Sequence, residues 1–153
     1  MFEGNHVLIT GGCGYIGSNI SRELVRLGCK KVILFDLASP VHQCKPYSDH
    51  SSSQADETAA LNSRTNVMFV KGDICNYECL NKAIKLNNVD SVIHVAGYGL
   101  SGNTNMQAHD KRTFRVNVFG TQNVVRSCLE NRVRALGNAI CNELCSLNLT
   151  ILV

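Results

Sequence analysis

The stretch LITGGCGYIGSN, Leu8 to Asn19, restricts the fold more than any other part of the chain. Gly12, Gly14 and Gly17 form a G-x-G-x-x-G pattern directly after the apolar run HVLIT and directly before a segment with helical spacing. In that context the first glycine permits a tight turn, the second lets backbone approach a pyrophosphate, and the third lets helix and strand pack closely. Gly11 supplies a second register, Gly11-x-x-Gly14-x-x-Gly17. Amides at the helix start, helped by the helix dipole, receive phosphate charge. Asp36 closes the next apolar run, KVILF, 19 residues beyond Gly17. A carboxylate there accepts hydrogen bonds from ribose hydroxyls and repels a 2′-phosphate, which predicts NAD rather than NADP.

The rest of the chain alternates in the same way. Ile16, Ile20, Leu24 and Leu27 repeat at helical spacing, and Gly28 stops that helix. NVMFV reads as a third strand, Tyr77, Leu80 and Ile84 as a helix, and SVIHVAG as a fourth strand. A long helix over residues 107–133 carries Phe114, Val118, Thr121, Val125 and Cys128 on one stripe. Strand–helix alternation predicts an α/β fold, a Rossmann-type doubly wound parallel sheet, here truncated. Residues 1–133 are expected to form an incomplete NAD-binding domain with a polar, serine-rich insertion at 38–65 and a short helix near Ala59. Residues 134–153 read as a divergent tail, with a short helix over Ala139, Ile140 and Leu144 and a last strand in LTILV.

Composition excludes several alternatives. With 44% apolar and 18% charged residues the chain is expected to be globular. The net charge of +3 is scattered, and Lys30-Lys31 and Lys111-Arg112 are pairs rather than patches, so no nucleic-acid partner is expected. No secretion signal opens the chain, and no run of about 18 apolar residues suggests a membrane span, although a longer form is compatible with membrane association. The eight cysteines then read as reduced thiols in the cytoplasm. Cys75 and Cys79, like Cys141 and Cys145, sit one helical turn apart but lack further ligands at zinc spacing, so no metal is expected. His94 lies within an apolar run and reads as a core histidine.

Several of these segments resemble the extended short-chain dehydrogenase/reductases. TGGCGYIG, with Gly11, Gly12, Gly14, Tyr15, Ile16 and Gly17, is similar to that family's cofactor signature. GDI is similar to its adenine-side motif, HVAG to the end of its fourth strand and VNVFGTQNVV to its central helix. ILFDLASP and AGYGLSG are most similar to the 3β-hydroxysteroid dehydrogenase-like branch. The resemblance runs from Val7 to Val133, apart from the insertion. It implies NAD as cofactor, with Asp73 and Ile74 flanking the adenine and Ala96 and Gly97 close to the riboses. It also implies that Asn117 orders water in the active site; the alternative is a polar residue satisfied within its own helix. The implied activity is NAD-dependent hydroxyl/ketone interconversion, with a steroid among the substrates considered. The implied partner is a full-length relative docked on the helix 107–133.

Family chemistry also requires Tyr-x-x-x-Lys, in which tyrosine moves the proton and lysine lowers its pKa. Four residues after each tyrosine stand Asn19, Ser51, Asn81 and Gly102, and none is lysine. The strand that carries a serine in relatives is due just after Val133, where RALGNAICNELC follows instead. No catalytic residue is therefore assigned. The chain reads as a truncated or alternatively spliced product joined near Arg134. A non-catalytic nucleotide-binding or dimerising fragment is the competing reading. Within enzymes, a sugar-nucleotide epimerase or dehydratase relative competes as well.

Overall fold

The computed structural model describes residues 5–39, 65–99, 111–138 and 151–152. Strand β1 (His6–Thr10) leads through the glycine turn into helix α1 (Tyr15–Arg26), and β2 (Lys31–Asp36) follows. Beyond the insertion come β3 (Asn66–Lys71), α2 (Tyr77–Leu86) and β4 (Ser91–His94). A helical turn at 111–114 runs into a π-helical segment, Arg115–Gly120, and on without a break into α3 (Thr121–Glu130). The described chain ends with β5 (Ala135–Asn138) and β6 (Ile151–Leu152).

The six strands lie in the order β3-β2-β1-β4-β5-β6. The first five are parallel, and β6 runs antiparallel against β5 through Ala135↔Leu152 and Leu136↔Ile151. Apolar residues occupy successive positions in the strands because both sheet faces are covered. Val7, Ile9, Val32 and Leu34 pack with Leu24 and Val25 of α1. Leu8, Ile33, Phe35 and Val92 face the other way, onto Leu80 and Ile84 of α2 and Val124 and Cys128 of α3. The insertion from residue 40 onward, its helix near Ala59, residues 107–110 of the long helix and the tail helix at Ala139–Leu144 lie outside the described residues.

Two helical stripes differ from their sequence spacing. In α1 the inward residues are Gly17, Ser18, Ser21, Leu24 and Val25, while Ile16 is 51% exposed. Small residues face inward because the start of α1 lies against the glycine turn. In the long helix Phe114 is 56% exposed, and Gly120, Val124, Ser127 and Cys128 are the buried residues. A π segment adds a residue to the turn, so a stripe counted at a constant 3.6 residues slips by one position across it.

Strand β5 also departs from the sequence reading, which assigned no strand to Ala135–Asn138. ALGN is short, and glycine and asparagine are poor strand formers, so pattern alone does not mark it. The sheet receives it through β4, and Arg134 anchors its start. The Arg134 amide donates to the Asp90 carbonyl (2.8 Å), and its guanidinium pairs with the Asp90 carboxylate (2.9 Å) and bonds Asn5 (3.0 Å).

The π-segment register has a direct consequence for stability. Val124→Ala should cost about 2 kcal/mol, since it empties a fully buried site. Phe114→Ala should stay within about 0.5 kcal/mol. Urea unfolding of both variants checks this, and the opposite ranking would contradict the register.

Candidate functional site: a glycine-floored cleft at the strand ends

A cleft of about 860 Å³ opens at the carboxyl ends of β1, β2 and β4. Strand order reverses there, because β2 leaves β1 on one side and β4 pairs on the other. Gly11, Gly14, Tyr15, Ile16, Gly17, Asp36, Asp73, Ile74, Ala96 and Gly97 all line it. Of the predicted cofactor residues only Gly12 lies off the lining.

The backbone explains each glycine in turn. Gly11 takes a left-handed φ of +68°, and a Cβ on it would stand 2.8 Å from the Ala96 nitrogen. The residue that needs the tight turn is therefore Gly11, the first of the Gly11-Gly14-Gly17 register, whereas Gly12 is constrained by packing on Leu34. Gly17 is tight against backbone, since its Cβ would lie 2.3 Å from the Gly11 carbonyl oxygen. Gly14 caps α1 with no side-chain cap bond, and no acidic residue occupies the first turn of that helix. The amides at the start of α1 are thus left facing the cleft, an arrangement suited to an anion.

Asp36 bridges the turn to the second strand. One carboxylate oxygen accepts from the Cys13 amide (3.0 Å) and the other from the Ala38 amide (3.1 Å). Each oxygen keeps a further lone pair for a ligand hydroxyl. Asp73 accepts from the Cys75 amide at 2.8 Å, which shapes the turn after β3. Ile74 is buried against Gly120, where a Cβ would come within 2.5 Å of it, and Asn123 donates to the Ile74 carbonyl at 2.9 Å. Gly72 is required because a side chain there would strike the Phe35 ring at 2.3 Å. Burial pushes the Cys75 thiol up; the Asp73 carboxylate adds to this and the Arg115 guanidinium opposes it.

Asn117 is neither satisfied within its helix nor directed into the cleft. Its carboxamide pairs with the backbone of Tyr98, accepting from the amide at 2.8 Å and donating to the carbonyl at 2.9 Å. The π segment thus fixes the loop that leaves β4. Behind that loop runs a buried polar relay. The Thr121 hydroxyl donates to the Asn117 carbonyl (2.7 Å), so it must accept from His94 Nε2–H (3.0 Å). His94 Nδ1 is then the acceptor for the Thr10 hydroxyl (2.6 Å), whose oxygen takes the Val95 and Ala96 amides (3.2 and 3.3 Å). Burial depresses the His94 pKa to about 4, so the ring is neutral at pH 7.

Sequence reasoning missed Gly72, Tyr98, Asn123 and the cations Lys111, Arg112 and Arg115, of which all but Asn123 line the cleft. Gly72 had a signal in the GDI motif, but the others stand on the long helix or its preceding loop and acquire a role only when that helix folds over the sheet. Among the described residues no group of three or more metal-ligating side chains forms, and no helix is long and apolar enough to cross a membrane.

Comparison with known proteins agrees with this geometry. The model of the 3-beta hydroxysteroid dehydrogenase/isomerase family matches residues 8–140, seven residues beyond Val133. Short-chain dehydrogenase/reductase family 42E member 1 of Macaca fascicularis is 32% identical over 130 residues, covering 85% of this chain and 28% of that protein. UDP-glucose 4-epimerase of Caenorhabditis elegans is 25% identical over 129 residues, 84% of this chain and 36% of the relative. Among solved structures, the Bordetella bronchiseptica enzyme WbmH in complex with NAD+ is 25% identical with a TM-score of 0.59, covering 92% of this chain and 41% of that one. The chain therefore spans about 30–40% of these proteins.

The neutral His94 makes stability depend on pH. The unfolded ring binds its proton near pH 6.5 and the folded one only near 4, so stabilisation is full above 6.5 and is lost as pH falls towards 4. Unfolding free energy should drop by about 3 kcal/mol across that window, and His94→Gln should flatten that part of the slope. Denaturation measured at pH 7 and pH 4.5 on both proteins checks this; equal slopes would contradict it.

Proposed function

The chain belongs to the 3-beta hydroxysteroid dehydrogenase/isomerase family, and from that membership we propose that its cleft binds NAD as the cofactor half of an oxidoreductase. The observation that carries this reading is the approach of Gly17 to Gly11, a floor that any side chain would fill, beside the paired Asp36 carboxylate. Gly11, Gly14 and the first amides of α1 would take the pyrophosphate. Asp36 would accept from the adenosine ribose hydroxyls, Asp73 and Ile74 would border the adenine, and Ala96 and Gly97 would leave room for the second ribose. When bound, the nicotinamide supplies hydride transfer to or from a carbon bearing oxygen.

The residues of this chain bind and orient; none is assigned a proton-transfer role. The 153 residues contain no Tyr-x-x-x-Lys pair, so turnover of a hydroxyl/ketone substrate, steroid-like by the family's name, requires those groups from elsewhere. Non-catalytic nucleotide binding is the second reading. A sugar-nucleotide substrate, suggested by the epimerase relative, is the alternative within enzymes. Phe119 and Leu129 are exposed along the long helix, which supports docking of a relative there.

Calorimetric titration of the purified chain with NAD tests the reading. One site per chain is expected. Asp36→Ala, checked for folding by its thermal unfolding, should weaken binding about ten- to a hundredfold, the range for hydrogen bonds to a charged group. A folded wild-type chain that takes up no NAD would overturn it.

A further inference from the structure

The cleft wall contributed by the long helix carries charge that the glycine turn does not explain. Lys111, Arg112 and Arg115 all line the cleft. Among the other described arginines Arg26, Arg126 and Arg134 each pair with a carboxylate, whereas Arg22 and Arg132 do not. Lys111, Arg112 and Arg115 have no carboxylate within ion-pair distance among the described residues, although Asp36 and Asp73 line the same cleft.

Two of the three have a defined neighbour. The Arg112 guanidinium lies 4.5 Å from the centroid of the Tyr98 ring. The Tyr98 backbone is held by the two bonds to Asn117, and Arg112 stacks on the ring it carries. Arg115 stands further along the wall, with its side chain beside the Cys75 thiol and its carbonyl accepting from Cys75 Sγ at 3.6 Å. The wall thus has one guanidinium near the loop after β4 and one near the turn after β3. Gly11, Gly14 and the start of α1 line the same cleft.

A planar guanidinium fork matches phosphate oxygens bidentately, and two such forks on one cleft wall suit a diphosphate. We propose that Arg112 and Arg115 clamp the diphosphate bridge of the dinucleotide from the wall side, so that the bridge is held between two guanidiniums and the amides of the glycine turn. This rests on the NAD reading above and adds the chain's own cationic specificity for a diphosphate. Both arginines sit outside the glycine motif, and neither belongs to the residues that the family resemblance assigns to the cofactor.

Titration with NAD, ADP-ribose and adenosine separates the possibilities. Arg112→Gln combined with Arg115→Gln should weaken NAD and ADP-ribose by about a hundredfold and leave adenosine, which has no phosphate, unchanged within about twofold. The dependence of NAD affinity on salt should become shallower in the double variant. Arg112→Lys keeps the charge without the fork and should fall between wild type and Arg112→Gln. Equal NAD affinity in wild type and double variant would overturn the clamp while leaving the NAD reading intact. An adenosine loss as large as the NAD loss would also overturn it, since the arginines would then act on the fold. A folded wild type that binds neither NAD nor ADP-ribose would remove the NAD reading, and the clamp with it.

Discussion

Gly17 approaches the carbonyl oxygen of Gly11 so closely that a Cβ would stand 2.3 Å away, and the rest of the site inherits its position from that contact. The contact seats the first turn of α1 against the end of β1. It also sets Gly11 against Ala96, so the loop leaving β4 is placed by the same turn. Asp36 then ties the turn to β2 through the Cys13 amide. Three strands are thereby fixed at their carboxyl ends around one floor, and the cleft is the space that remains above it.

The long helix closes the other side, and it does so with polar groups rather than with its apolar stripe. Asn117 holds Tyr98, Asn123 holds Ile74, and Thr121 continues into the His94–Thr10 relay. Each bond satisfies a backbone or side-chain group that would otherwise be buried without a partner, at a cost of about 1–3 kcal/mol apiece. The relay needs a neutral imidazole with one donor and one acceptor nitrogen, and burial supplies it by depressing the pKa. Structure around the cleft is therefore coupled to a single proton that the protein keeps off.

Much of this was legible in the sequence. The glycine motif, the four apolar strands and Asp36 announce themselves because each follows a local rule: a turn, a run or a carboxylate at the end of a strand. The core role of His94 was legible for the same reason. The Arg112 and Arg115 wall was not, since nothing local distinguishes a cleft-facing arginine from a solvated one until the helix is placed across the sheet. The shifted stripe of the long helix escaped because a π segment has no strong residue signature, and counting at a constant period carries Phe114 inward when it faces out. Strand β5 escaped because ALGN has one buried apolar residue and two poor strand formers, and only its neighbours β4 and Arg134 make it a strand.

The described residues form the geometry of a nucleotide cleft, and binding at that cleft can be read on this chain directly. Backbone amide shifts of the isotope-labelled chain, followed by NMR as NAD is added, test the binding half most directly. The changes should concentrate at Gly11 to Gly17, at Asp73 and Ile74, and at Ala96 and Gly97, with the outer face of α3 silent. Shifts confined to α3, or none in a well-dispersed spectrum, would contradict the account.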